Sequence, residues 1–149
     1  MVICGFSGIG KSTLERSNPS VVDIDSSFFS QKWEWQTGEC LGRNEDFPIN
    51  YIDHLEELIS DNRANYFLIS CHEEVRRELQ NRGIPYIIVL PYHDCKNEYM
   101  KRWLSRGASA EFIKSMYLRW EIMVNSCECD PSPKIYLSEK EYLADIIPK

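Results

Sequence analysis

The chain has 149 residues, which suits one compact domain, with 43% hydrophobic residues and a formal charge of −6. No apolar run is long enough to cross a bilayer, and the acidic balance argues against broad non-specific nucleic-acid binding, which needs a basic surface. No basic leader precedes a hydrophobic stretch and a small-residue cleavage site, so the chain reads as cytoplasmic.

Met1 to Cys4 reads as a short buried strand. A brief helix follows from Lys11 to about Ser17, where Asn18-Pro19 stops it. "VVDID" (21–25) alternates apolar side chains with carboxylates and reads as a second strand. Residues 26 to 50 have no clear period and hold Phe28, Phe29, Trp33, Trp35 and Phe47 among polar residues. Asn50 is placed to cap a helix over 51–61 that carries one apolar stripe of Tyr51, Ile52, Leu55, Leu58 and Ile59. "YFLIS" (66–70) is a third strand, apolar enough to be covered on both faces. A short helix over 73–83 ends at Gly83, and "IPYIIVLP" (84–91) is a fourth strand.

A helix over about 94–106 and a second one, capped by Ser109 and running to about Asn125, come next. The second turns Phe112, Ile113, Met116, Tyr117, Trp120 and Met123 inward. "KIYL" (134–137) is a fifth strand. Ser138 and Glu141 have the spacing of a capping box for a last helix that buries Leu143, Ile146 and Ile147. Strands alternating with helices imply an α/β domain with a parallel sheet covered on both faces, spanning 1–149 without linker or repeat.

Cysteines fall at 4, 40, 71, 95, 127 and 129. Cys4 and Cys71 lie inside apolar strand-like runs, where cysteine acts as a small hydrophobe, and without an export signal reduced thiols are expected. His93, Cys95, Cys127 and Cys129 have H-x-C and C-x-C spacings, which are not those of common structural zinc sites.

Residues 5 to 12, "GFSGIGKS", fit G-x-x-x-x-G-K-[ST], with a strand before and a helix after. Glycines let successive backbone N–H groups turn inward into an anion nest, drawing on Gly8, Ile9 and Gly10. Lys11 can reach terminal phosphates, Ser12 can ligate Mg²⁺, and Thr13 can contact the first phosphate. This stretch resembles the P-loop nucleotide-binding superfamily. Chain size, strand pattern and late arginines look like its nucleoside monophosphate kinase and small-metabolite kinase branch, in particular small kinases of phage or Firmicute type. The resemblance implies a three-layer fold with a five-stranded parallel sheet in the order 2-3-1-4-5. It also implies an acceptor-binding insert at about 26–62 and a helical lid at about 94–125.

Asp23 and Asp25 alternate with Val22 and Ile24, so both carboxylates share one face. Asp25 is placed to support Mg²⁺ with Ser12, or to accept a proton from an attacking hydroxyl. A solvated strand end, or caps for the next turn, is the plainer reading. The third strand ends "ISCHEE", without the aspartate that many P-loop enzymes carry there, a departure similar to gluconate-kinase-like enzymes. His72 is either a substrate contact or a structural cap.

Arg102 and Arg106 are four apart and share a helix face; phosphoryl transfer needs positive charge around its equatorial oxygens, and a solvated basic face is the plainer reading. Lys11, Asp25, Arg102 and Arg106 are the expected catalytic residues, and Arg102 also contacts the donor nucleotide. Trp35, Arg43, His72, Arg76 and Arg119, with Asp25, are the expected acceptor contacts. Salt bridges to Glu73, Glu74 or Glu78 compete for the arginines of the helix over 73–83. The expected function is ATP- and Mg²⁺-dependent phosphoryl transfer to a (deoxy)nucleoside monophosphate. A hydroxyl acceptor, either a small metabolite or a 5′-hydroxyl polynucleotide end, is the second reading, and a nucleotide-binding regulator with little turnover the third. Partners are small molecules, with no membrane, no stable nucleic-acid complex, and a monomeric or homodimeric state.

Overall fold

A computed structural model describes residues 1–148. Along the chain run β1 (Val2–Gly5), α1 (Lys11–Ser17), β2 (Val21–Asp23), α2 (Ser27–Ser30), β3 (Gln31–Glu34), β4 (Glu39–Arg43) and α3 (Ile49–Ser60). Then come β5 (Tyr66–Ser70), α4 (Glu73–Asn81), β6 (Tyr86–Pro91), α5 (Lys96–Ser105), α6 (Ala110–Glu128) and β7 (Lys134–Leu137). Single 3₁₀ turns stand at His93–Cys95 and Leu143–Asp145. No helix among the described residues is long and apolar enough to cross a membrane.

Five strands form a parallel sheet in the order β2-β5-β1-β6-β7, flanked by helices. The numbering departs from 2-3-1-4-5 because β3 and β4 intervene in the chain and pair only with each other. Taken along the chain without that hairpin, the sheet's strands stand second, third, first, fourth, fifth. β1 is central, so each of its residues is buried, with Cys4 level with Ile69 on one side and Ile88 on the other. A continuous apolar run suits this place, because both faces of a central parallel strand are covered.

The carboxyl end of β1 is held by aromatics. Phe6 stands edge-on to Tyr99 of α5 and Trp120 of α6, with ring centroids 6.1 and 5.3 Å away. Trp103 packs on Trp120 at 6.2 Å and on Phe112 at 5.8 Å. Trp103 and Trp120 are fully buried, and burial of this size contributes about 3 kcal/mol for each. The cluster fixes where α5 and α6 stand over the loop that follows β1.

Several local expectations are corrected. β2 ends at Asp23, although Ile24 N–H still donates to Leu68 O at 2.9 Å. β1 begins at Val2 and β6 at Tyr86. Asn50 does not cap α3. It lies in the first turn, donates from its amide to Phe29 O at 3.0 Å, and so ties the helix to α2. Tyr117 is half exposed, with the Lys96 ammonium 3.8 Å from its ring centre. The last helix is only the turn Leu143–Asp145. Ser138 N–H donates to Glu141 Oε1 at 2.8 Å, and Leu143 N–H is drawn off to Ile9 O at 2.8 Å, so the ladder of a helix never starts. Ser109 does cap α6, accepting from Phe112 N–H at 3.1 Å.

Candidate active site

Gly5 lies level with Ser70 of β5 and Val89 of β6, so the following loop leaves the sheet at the carboxyl ends of its central strands. Gly8 and Gly10 have φ of +92° and +96°, values that side-chain-bearing residues rarely adopt. A Cβ on Gly8 would lie 3.0 Å from Trp103 Nε1, and one on Gly10 would lie 3.2 Å from the Tyr142 ring. Lys11 folds back so that its ammonium donates to Gly5 O at 2.9 Å and Phe6 O at 3.2 Å. Burial lowers its pKa, partly offset by Cys71 and Asp23.

Ser12 donates to Asp23 Oδ2 at 3.0 Å. Burial raises the pKa of Asp23, while Lys11 and the Ser12 hydroxyl oppose that rise. Glu15 accepts from the Asp23 N–H at 2.9 Å. Asp25 is exposed, and its Oδ1 accepts from Ser27 N–H at 2.9 Å, capping the turn into α2. The carboxylate beside Ser12 is therefore Asp23, and Asp25 stands one alternation further out. Tyr51 fixes this segment from beneath. Its hydroxyl donates to Ile24 O, between the two aspartates, and accepts from Ser70 N–H at 3.2 Å. Sequence reasoning placed Tyr51 in an apolar stripe and missed that role, which only its hydroxyl signals.

Two cavities open on the loop. The first, about 500 Å³, is lined by Lys11, Arg16, Lys101, Arg102 and Arg106 with a single acid, Glu98, and by Gly8, Gly10, Ser12, Thr13 and Tyr142. The second, about 440 Å³, holds Asp23, Asp25, Ser70, His72 and Arg119 on its polar side, and Phe112, Met116, Ile122 and Met123 of α6 form an apolar wall. The two meet at Ser7, Lys11, Ser12 and Arg106. Arg106 donates to Ser7 Oγ at 3.2 Å, and its remaining donors are free to face both spaces. Ser70 Oγ is buried without a hydrogen-bond partner, in the place where an aspartate was missed in the sequence.

The expected arginines divide sharply. Arg102 is buried and donates to Gly8 O at 3.0 Å, Glu139 O at 2.8 Å and Glu141 O at 3.0 Å. Its guanidinium lies between Tyr99 and Tyr142, 4.5 and 3.9 Å from their ring centres. It braces the loop against the 139–142 segment, and few of its donors are left for a phosphate. Arg76 is a buried strut. It pairs with Asp130 at 2.8 Å and donates to Cys71 O, Ser126 O and Ser126 Oγ at 2.9, 3.2 and 2.6 Å. Arg43 is outside both cavities, in an exposed bridge to Glu74 at 3.0 Å. Arg119 lines the second cavity and has no protein partner among the described residues.

Trp35 also stands outside both cavities, 69% exposed, stacked on Phe28 at 6.1 Å. Ile9 is wholly buried, and its carbonyl takes the Leu143 N–H. Thr13 Oγ1 accepts from Arg16 at 3.3 Å. The pKa of His72 is lowered by partial desolvation, against the pull of Glu74. All six cysteines are free thiols, and among the described residues no group of three or more His, Cys, Asp or Glu is gathered as a metal site. Compared with protein-family models and with curated proteins, the chain matches none.

Proposed function

We propose that the chain is an ATP- and Mg²⁺-dependent phosphotransferase of P-loop type, with the donor triphosphate in the first cavity and a small acceptor in the second. One observation carries this: the two cavities meet at Ser7, Lys11, Ser12 and Arg106. A donor and an acceptor seated on either side would face one another across a hydroxyl, an ammonium and a guanidinium. That is where phosphoryl transfer needs positive charge and fixed geometry. The basic lining of the first cavity suits a polyanion.

The oxygen donors fit a hard divalent cation. Ser12 Oγ and Asp23 would hold Mg²⁺, and the unpartnered Ser70 hydroxyl beside them suits one of its waters. When bound, the ion neutralises charge on the donor phosphates. Lys11 leaves the carbonyls of Gly5 and Phe6 for the terminal phosphate. Arg106 stabilises charge between the two sites. α5 and α6 act as the lid, and Arg102 holds the loop in shape beneath it.

The first acceptor is a (deoxy)nucleoside monophosphate, its base against Phe112, Met116, Ile122 and Met123 and its phosphate toward Arg119 and Arg106. A hydroxyl acceptor is favoured by a different observation. Asp25 faces the same cavity without a cationic partner, while Arg76, in the same wall, is held by Asp130 and Ser126, and Arg43 lies outside it. Asp25 then takes the hydroxyl proton. ADP release, measured with ATP and a panel of nucleoside monophosphates, nucleosides, sugar acids and a 5′-hydroxyl oligonucleotide, tests the reading. Stimulation by one class is expected. Asp25→Asn then lowers turnover about 100-fold or more if Asp25 is the base, and less than tenfold for a phosphate acceptor. An ATP analogue that fails to bind, or that binds Lys11→Met as tightly as the parent chain, overturns the proposal.

A further inference from the structure

Three successive residues at the start of the glycine loop hold two cations. The carbonyls of Gly5 and Phe6 accept from the Lys11 ammonium, and Ser7 Oγ accepts from the Arg106 guanidinium at 3.2 Å. Among the described residues neither cation is paired with a carboxylate. Desolvation lowers the Arg106 pKa. Burial, followed by the charge of Arg106, lowers that of Lys11 against the pull of Cys71 and Asp23. Two unneutralised cations kept this close suit an anion between them.

The backbone of Arg106 is fixed, and its side chain needs to be held. Arg106 closes α5, where its N–H donates to Arg102 O at 3.2 Å. Gly107, with φ of +83°, then turns the chain, and Ala108 N–H donates to Trp103 O at 3.0 Å. Trp103 is fully buried, so this turn is anchored in the core. The Arg106 side chain is exposed, and a free arginine spreads over many rotamers. Two contacts limit it: the Phe112 ring, whose centre is 5.7 Å from the guanidinium carbon, and Ser7 Oγ. A ring face sets a distance, whereas a hydroxyl acceptor aims one N–H. Ser7 is half-buried and lines both cavities, so a guanidinium aimed at it stands at their junction.

We propose that Ser7 is a positioning residue, whose hydroxyl oxygen holds Arg106 at the junction of the two cavities and aims it at the terminal phosphate of the donor. This rests on the reading of the first cavity as a triphosphate site. Ser7 acts through Arg106 and leaves the inner phosphates to the loop amides. A diphosphate therefore does not draw on the pair, and a triphosphate does.

Calorimetry in the presence of Mg²⁺ tests this with two probes, ADP and the non-hydrolysable triphosphate adenylyl imidodiphosphate. Both are expected to bind the parent chain. Ser7→Ala is expected to keep ADP affinity within about twofold and to lose about tenfold for the triphosphate, the size of one charge-assisted hydrogen bond. Arg106→Met loses at least as much for the triphosphate, and adding Ser7→Ala to it costs nothing further. Ser7→Thr, which keeps the oxygen, restores the parent affinity. Ser7→Gly replaces the alanine variant should that one not fold. A Ser7 variant that binds both probes as the parent does overturns the role of Ser7 and leaves the triphosphate site standing. So does an equal loss for both probes, which would make Ser7 a part of the loop's shape. An additive loss in the double variant does the same, because Ser7 would then touch the phosphate itself. A folded parent chain that binds neither probe overturns the triphosphate site, and the role of Ser7 with it.

Discussion

Replacing Arg102 with methionine separates a phosphate ligand from a brace. Methionine keeps an apolar stem between Tyr99 and Tyr142 and removes the guanidinium that donates to Gly8 O, Glu139 O and Glu141 O. Hydrogen bonds to a charged group contribute roughly 1.5–3 kcal/mol each, which sets an upper sum of about 5–9 kcal/mol for three. Desolvation of the buried guanidinium offsets part of that sum, and each neutral carbonyl left unpaired costs about 1–3 kcal/mol. We expect a loss of about 3–4 kcal/mol in urea unfolding. With a slope of about 2 kcal/mol per molar, the midpoint falls by about 1.5–2 M. Affinity for a non-hydrolysable ATP analogue, measured by calorimetry below the unfolding range, falls less than about tenfold, because the loop amides and Lys11 remain. A loss above about 1000-fold with unchanged stability would make Arg102 a direct phosphate contact. An unchanged midpoint would refute the reasoning about the brace.

Asp130→Asn leaves Arg76 buried without its countercharge, and a loss of about 3–5 kcal/mol is expected in chemical unfolding. Burial raises the Asp130 pKa, but the hydrogen bonds from Arg76, Ser132 and Tyr86 outweigh it, so the folded value lies below the usual one. Its contribution is therefore present above about pH 4 and is lost as pH falls through the lowered folded value, a component that the asparagine variant lacks in acid titration. Lys11 follows the same sign in an alkaline window. Its folded pKa is lowered by burial, so the unliganded chain gains stability as pH rises from that lowered value toward about 10.4, and Lys11→Met removes the gain in thermal unfolding at stepped pH. Tyr51→Phe takes both bonds from Ile24 O and Ser70 N–H and is expected to cost about 1–3 kcal/mol by urea unfolding, whereas a change under a few tenths would remove Tyr51 as the support of the aspartates.

The order of strands and helices was legible where burial imposes a single period. β1, β5 and β6 are continuous apolar runs because both their faces are covered, and Ser109 announces α6 through a cap that depends only on residues within three positions. The hairpin β3–β4 was not legible. Every residue of β4 is exposed, so no alternation marks it, and Trp33 alone among its partners is apolar. The glycine loop was readable from spacing, since Gly8 and Gly10 need positive φ. The arginines were readable only in part. Arg76, Arg102, Arg106 and Arg119 all line a cavity, but the partners of Arg76 are decided by Asp130, 54 residues away. Those of Arg102 are decided by carbonyls 37 and 39 residues later. Spacing along one helix carries no trace of such partners. Asp23 and Asp25 read as equivalent until Ser12 on one side and Ser27 on the other distinguished them.

The bracing of the glycine loop by residues 139 to 143 has a consequence for synthesis. Gly8 and Ile9 are translated more than a hundred codons before the segment whose carbonyls anchor Arg102 and whose Leu143 amide meets Ile9. A nascent chain therefore has β1, β2, β5 and β6 translated while the glycine bend still lacks these contacts. On the proposed reading, competence for triphosphate waits for residues 139 to 143.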